Sequence, residues 1–120
     1  MVNERKESKL FEYEIPSLSP NDEHYIDLHS MPYGKYLPFN FLMVENSSQQ
    51  KIRVIINDSI RKIIFPGTIM TFDSATIPAI WSLRVVNKGT DIINQGEVII
   101  SFQKISNIKT RAFKILAGDL

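Results

Sequence analysis

From Glu23 onward, turn-forming residues interrupt the chain about every 8 to 12 residues, and no long stretch between them keeps the period of about 3.6 that a helix requires. The segment IRVIINDSIRKIIFPGTIMTF, residues 52 to 72, shows the pattern in its densest form. Three apolar runs are separated by Asn57-Asp58 and by Pro66-Gly67. Asparagine and aspartate tolerate the left-handed backbone of a tight hairpin, whereas proline presets φ and glycine accepts a positive one. Asn46-Ser47-Ser48-Gln49, Asn87-Lys88-Gly89-Thr90 and Asn94-Gln95-Gly96-Glu97 supply further turns. About eight short strands with this punctuation predict an all-β fold, a single antiparallel β-sandwich that is jelly-roll-like, with an immunoglobulin-like sandwich as the alternative. No internal sequence repeat stands out.

A chain of 120 residues is one domain's worth. Residues 1–20 read as an extended N-terminal arm, because MVNERKESK mixes both charges without periodicity and Pro16 and Pro20 bracket the next few residues. Its ordered piece is the short alternating run Phe11 to Ile15. Residues 21–105 form the sandwich, and residues 106–120 a C-terminal tail packing on the domain or on a neighbour. The tail has apolar residues at both helical and strand spacing.

Alternation assigns faces to the strands. Ile52, Val54 and Ile56 share one face, as do Val98, Ile100 and Phe102, and Ile26 and Leu28 with His24. Phe39, Phe41 and Met43 are read as a core face, and Trp81, Leu83 and Val85 as another. Opposite these lie Leu42, Val44, Ile55, Val86 and Ile99, where a two-layer sandwich facing water would carry polar residues. Each is worth about 1.5 to 3 kcal/mol when covered, so these five are the candidate oligomer interface.

Chemistry is harder to find. The absence of cysteine excludes disulfides, thiolate metal sites and cysteine nucleophiles. The two histidines, His24 and His29, fall on opposite faces of one strand, and a cupin-type metal site would need clustered histidines with a carboxylate. Glu45, Asp58, Asp73, Asp91 and Glu97 sit at strand ends or turns and form no pair flanking a cleft. Phosphate-binding loops, nucleophile elbows and calcium loops are missing. The expectation is a non-enzyme with no catalytic, cofactor-binding or metal-ligating residues.

Two features remain as contacts for a ligand or partner. Tyr33 and Tyr36 flank Gly34-Lys35 in a proline-bounded loop, where exposed rings can stack on a sugar. Lys109, Arg111 and Lys114, with Lys104, form a stretch without acids that suits an acidic neighbour. A formal net charge of +1 does not favour nucleic acid as the partner. The charged N-terminus carries no apolar stretch of signal-peptide length and no window reaches about 18 apolar residues, so no membrane is expected and the chain is read as acting inside a cell or a particle assembled there. Asn46-Ser47-Ser48 also fits the glycosylation pattern.

The stretches VENSSQQKIRVIIND, IIFPGTIMTF, SLRVVNKGT and INQGEVIISF alternate asparagine turns, strands and glycine-threonine turns. This cadence, over about half the chain, resembles that of small β-sandwich virion proteins of tailed phages, the head-decoration, head-fibre and tail components. The resemblance rests on turn chemistry and transfers no functional residue. It implies a non-enzymatic structural protein, located in the virion or host cytoplasm, that oligomerises and docks on a larger protein assembly. A carbohydrate-binding module using Tyr33 and Tyr36 is the alternative.

Overall fold

The computed structural model describes residues 8–29, 38–77 and 79–105. They hold eight strands: β1 (Phe11–Glu14), β2 (Glu23–Asp27), β3 (Phe41–Asn46), β4 (Ile52–Ile56), β5 (Ile60–Ile64), β6 (Thr68–Phe72), β7 (Ser82–Asn87) and β8 (Val98–Gln103). One sheet has the order β1-β8-β3-β6 and the other β2-β7-β4-β5, with every pair antiparallel. Successive strands lie in opposite sheets at every step except the β4–β5 hairpin. That wrapping is the connectivity of a jelly roll. It departs from the immunoglobulin-like alternative, in which the first two strands share a sheet.

The hairpin and one crossing follow directly from turn chemistry. Asn57 and Asp58 have φ of +56° and +60°, and the Ser59 N–H donates to the Ile56 carbonyl at 3.1 Å, closing a turn whose twist matches the strands it joins. Between β5 and β6 the chain changes sheets at Pro66-Gly67. Gly67 has φ of +72° and its N–H donates to the Asn46 carbonyl at 2.8 Å.

An internal pseudo-twofold that no sequence repeat announces relates β1–β4 to β5–β8. In the β3–β8 pair, Leu42, Val44 and Asn46 lie opposite Phe102, Ile100 and Val98. In the β7–β4 pair, Leu83, Val85 and Asn87 lie opposite Ile56, Val54 and Ile52. The corner at Pro66-Gly67 has its counterpart at Pro20-Asn21, between β1 and β2. There Asn21 takes φ of +70° and donates its N–H to the Asn87 carbonyl at 2.8 Å.

Each half ends its third strand on a buried asparagine. Asn46 Nδ2 donates to the carbonyls of Gln50 (2.8 Å) and Ile64 (3.2 Å), while its Oδ1 accepts from the Ser48 N–H at 3.0 Å and hydroxyl at 2.6 Å. Asn87 Nδ2 donates to the carbonyls of Leu18 (3.0 Å) and Asp91 (2.8 Å), and its Oδ1 accepts the Gly89 N–H at 2.9 Å. A buried amide can satisfy donors and acceptor at once, which is what a strand end turning inside the sandwich requires. With its side chain buried and bonded at both ends, Asn46 is closed as a glycan acceptor.

The layers enclose an apolar core that includes Ile26, Leu28, Leu42, Val44, Ile52, Val54, Ile56, Leu83, Val85, Val98 and Ile100, together with Phe39 and Phe102. The rings of Phe39 and Phe102 meet edge to face with centroids 5.0 Å apart, and Phe11 approaches both.

Three expectations are corrected here. Leu42 and Val44 are core residues, and Phe41 and Met43 point outward instead. The phase read from Phe39 slips by one residue at Asn40, whose side chain leaves the ladder to bind Ile105, donating to its carbonyl at 2.7 Å and accepting its N–H at 2.8 Å. A one-residue slip exchanges the faces of everything after it. The same displacement precedes β7: Ile80 is buried, whereas Trp81 is 38% exposed. The cause is Asn57, whose Nδ2 donates to the Ala79 carbonyl at 2.7 Å while its Oδ1 accepts the Trp81 N–H at 2.7 Å. Finally, the sandwich begins well before residue 21. β1 pairs along β8, Ile15 and Leu18 are buried, and the Leu18 N–H donates to the Ile93 carbonyl at 3.0 Å.

Candidate functional site

With the interior filled by aliphatic and aromatic side chains, whatever the molecule recognises meets its surface. Among the described residues no group of three or more His, Asp or Glu is placed to hold a metal ion. His24 lies beside Tyr13, with the hydroxyl 2.8 Å from Nε2 and the rings stacked at 5.6 Å. In the tautomer protonated on Nδ1, the hydroxyl donates to the ring. Burial lowers the pKa of His24, which favours the neutral ring. His29 stacks on Trp81 at 5.1 Å with 9° between the rings, and its Nδ1 is 3.4 Å from Asp27 Oδ1. The two imidazoles therefore have separate surroundings.

A cleft of about 350 Å3 opens between the edge strands β5 and β6, lined by Ile60, Lys62, Met70, Thr71, Phe72, Thr76 and Ile77. Among the described residues its lining offers one amine, Lys62, and two hydroxyls, Thr71 and Thr76. The arrangement can accept an apolar side chain.

The outer sheet faces are more distinctive. On the β1-β8-β3-β6 sheet, one cross-strand row runs Glu14, Ile99, Glu45, Ile69, and the next runs Glu12, Ser101, Met43, Thr71. Ile69 is 61% exposed. On the β2-β7-β4-β5 sheet, the corresponding rows are Glu23, Val86, Arg53, Ile63 and Tyr25, Arg84, Ile55, Arg61. Of the five residues singled out from the sequence, Ile55, Val86 and Ile99 lie on outer faces, half-buried by their neighbours, whereas Leu42 and Val44 do not. The two sheets keep the three outward residues apart: Ile99 is on one, Ile55 and Val86 on the other. Tyr33, Tyr36, Lys109, Arg111 and Lys114 lie outside the described residues.

Sequence reasoning passed over Ile63 and Ile69. Each stands in a strand with apolar residues in both phases, IRKII and TIMTF, so alternation alone has no polar face to sort them by. Arg84 is held between Asp58 (3.1 Å) and Glu23 (2.7 Å), and its guanidinium lies over the Tyr25 ring at 4.8 Å. The hydrogen bonds with Asp58 and then Glu23 raise its pKa further. Ser101 faces outward from β8 but is fully buried, and among the described residues its hydroxyl has no hydrogen-bond partner.

No family model and no curated protein matches the sequence. Among solved structures, a de novo designed double-stranded β-helix is similar with a TM-score of 0.47 at 10% identity, over 78% of this chain and 99% of that one. A cupin domain from Bordetella pertussis Tohama I is similar with a TM-score of 0.42 at 11% identity, over 88% of each chain. The jelly-roll assignment rests on strand order and register. Among the described residues, no helix is long and apolar enough to cross a membrane.

Proposed function

We propose that this protein is a non-enzymatic assembly component that associates with copies of itself through its outer sheet faces and takes its place in a larger protein assembly. The observation that carries this reading is the set of half-buried and exposed isoleucine and valine side chains, Ile55, Ile63, Ile69, Val86 and Ile99, standing outside a core that is already complete without them. Covering such outward apolar side chains with another polypeptide removes them from water and is favourable. The finer reading, a capsid-decoration or tail component of a tailed-phage virion, located in the particle or the host cytoplasm, rests on the turn cadence in the sequence and on a jelly roll's suitability as a shell-building unit.

Replacing Ile55 and Ile99 together by glutamine tests the reading without altering charge. The expected result is a lower solution mass than wild type at an unchanged urea midpoint, since neither side chain belongs to the core. An unchanged mass overturns it.

A further inference from the structure

The pseudo-twofold superposes the outer face of one sheet on that of the other, and the superposed positions differ in charge. Glu12 of β1 corresponds to Arg61 of β5, and Met43 of β3 to Arg84 of β7. The β1-β8-β3-β6 face presents Ile69, Ile99 and Met43 among Glu12, Glu14 and Glu45, with no base on an outward strand position. The β2-β7-β4-β5 face presents Ile55, Ile63 and Val86 among Arg53, Arg61 and Arg84, with the carboxylates Glu23 and Asp27 on its β2 edge, so its basic part is the β4–β5 half. Arg84 is engaged by Glu23 and Asp58, and among the described residues neither Arg53 nor Arg61 has a carboxylate within ion-pair distance.

We infer that copies of this chain stack head to tail, the acidic face of one on the basic face of the next. This rests on the proposed self-association and specifies its geometry. Stacking a face on its own kind would oppose glutamate to glutamate or arginine to arginine across a desolvated layer, where like charges repel strongly. Stacking unlike faces pairs the charges and buries both apolar sets in the same step. Because the two faces are on opposite sides of the sandwich, each added copy leaves a fresh face exposed, and a contact of this heterologous kind propagates unless its rotation closes a ring. Charge complementarity across such a layer also orients the encounter before the apolar contacts form.

Two charge-reversed variants test the geometry. Glu14→Lys with Glu45→Lys makes both faces basic; Arg53→Glu with Arg61→Glu makes both acidic. Each alone is expected to run at the monomer mass of 13.8 kDa, and mixing them in equal amounts is expected to restore the mass of wild type. Wild type itself should dissociate as salt is raised through about 1 M, where charge pairing is screened within about 3 Å; this readout stands even if a variant fails to fold. If wild type assembles and either variant retains the wild-type mass, the head-to-tail geometry is overturned while self-association stands. A reversed variant heavier than wild type, or association that strengthens with salt, overturns it as well. A monomeric wild type overturns the proposed function with it.

Discussion

Asn46 and Asn87 are the two side chains on which the wrapping depends most. Each holds a strand end, the following turn and a carbonyl from a distant part of the chain. Alanine at either position leaves those buried backbone groups without partners, and each variant should lose about 2 to 4 kcal/mol in urea denaturation. Ser101 predicts the opposite. Its buried hydroxyl has no partner among the described residues, so Ser101→Ala should be neutral or up to about 1 kcal/mol more stable, and a destabilised variant would mean that the hydroxyl is bonded in the folded protein. His24 gives the fold a pH dependence whose sign is fixed. Its pKa lies below the usual value of 6.5 because the ring is partly buried, so on acidification the unfolded chain binds the proton first. This contribution is constant above that value and stability falls as the pH drops through the interval below it. The urea midpoint should therefore decrease as the pH falls below about 6.5, and His24→Gln should flatten that part of the profile.

The turns were the most legible elements, because their conformations are chosen by one or two residues each. Asn57, Asp58 and Gly67 adopt the positive φ values that their chemistry predicts. At Gly67 nothing lies within 4 Å of where a Cβ would stand, so Gly67→Ala should cost only the left-handed backbone, about 1 to 2 kcal/mol by urea denaturation. A larger loss would show that the sheet crossing itself had shifted. The Pro20-Asn21 corner was harder to see, since asparagine announces positive φ less clearly than glycine and the preceding residues resemble a charged arm. Strand faces were legible wherever alternation ran unbroken, as in Ile52, Val54 and Ile56. They were misread at Leu42, Val44 and Trp81, where an asparagine side chain interrupts the ladder and shifts the phase. Such slips arise from pairings between Asn40 and Ile105, or Asn57 and Ala79, that are distant in sequence and leave no local pattern.

At the scale of the whole molecule, a pseudo-twofold sandwich would be expected to show similar outer faces, and this one reverses charge between Glu12 and Arg61 and replaces Met43 and Ile99 by Arg84 and Arg53, while keeping apolar residues on both. The sequence pointed to excess isoleucine and valine opposite the core, but the gathering of Arg53, Arg61 and Arg84 on one sheet and of Glu12, Glu14 and Glu45 on the other depends on strand order, which turn spacing does not determine. Self-association requires that these outer faces be covered, and the mass of the wild-type chain in solution tests it most directly. Light scattering across the micromolar range at low salt should give a mass well above 13.8 kDa that rises with concentration. A constant 13.8 kDa over that range would contradict it.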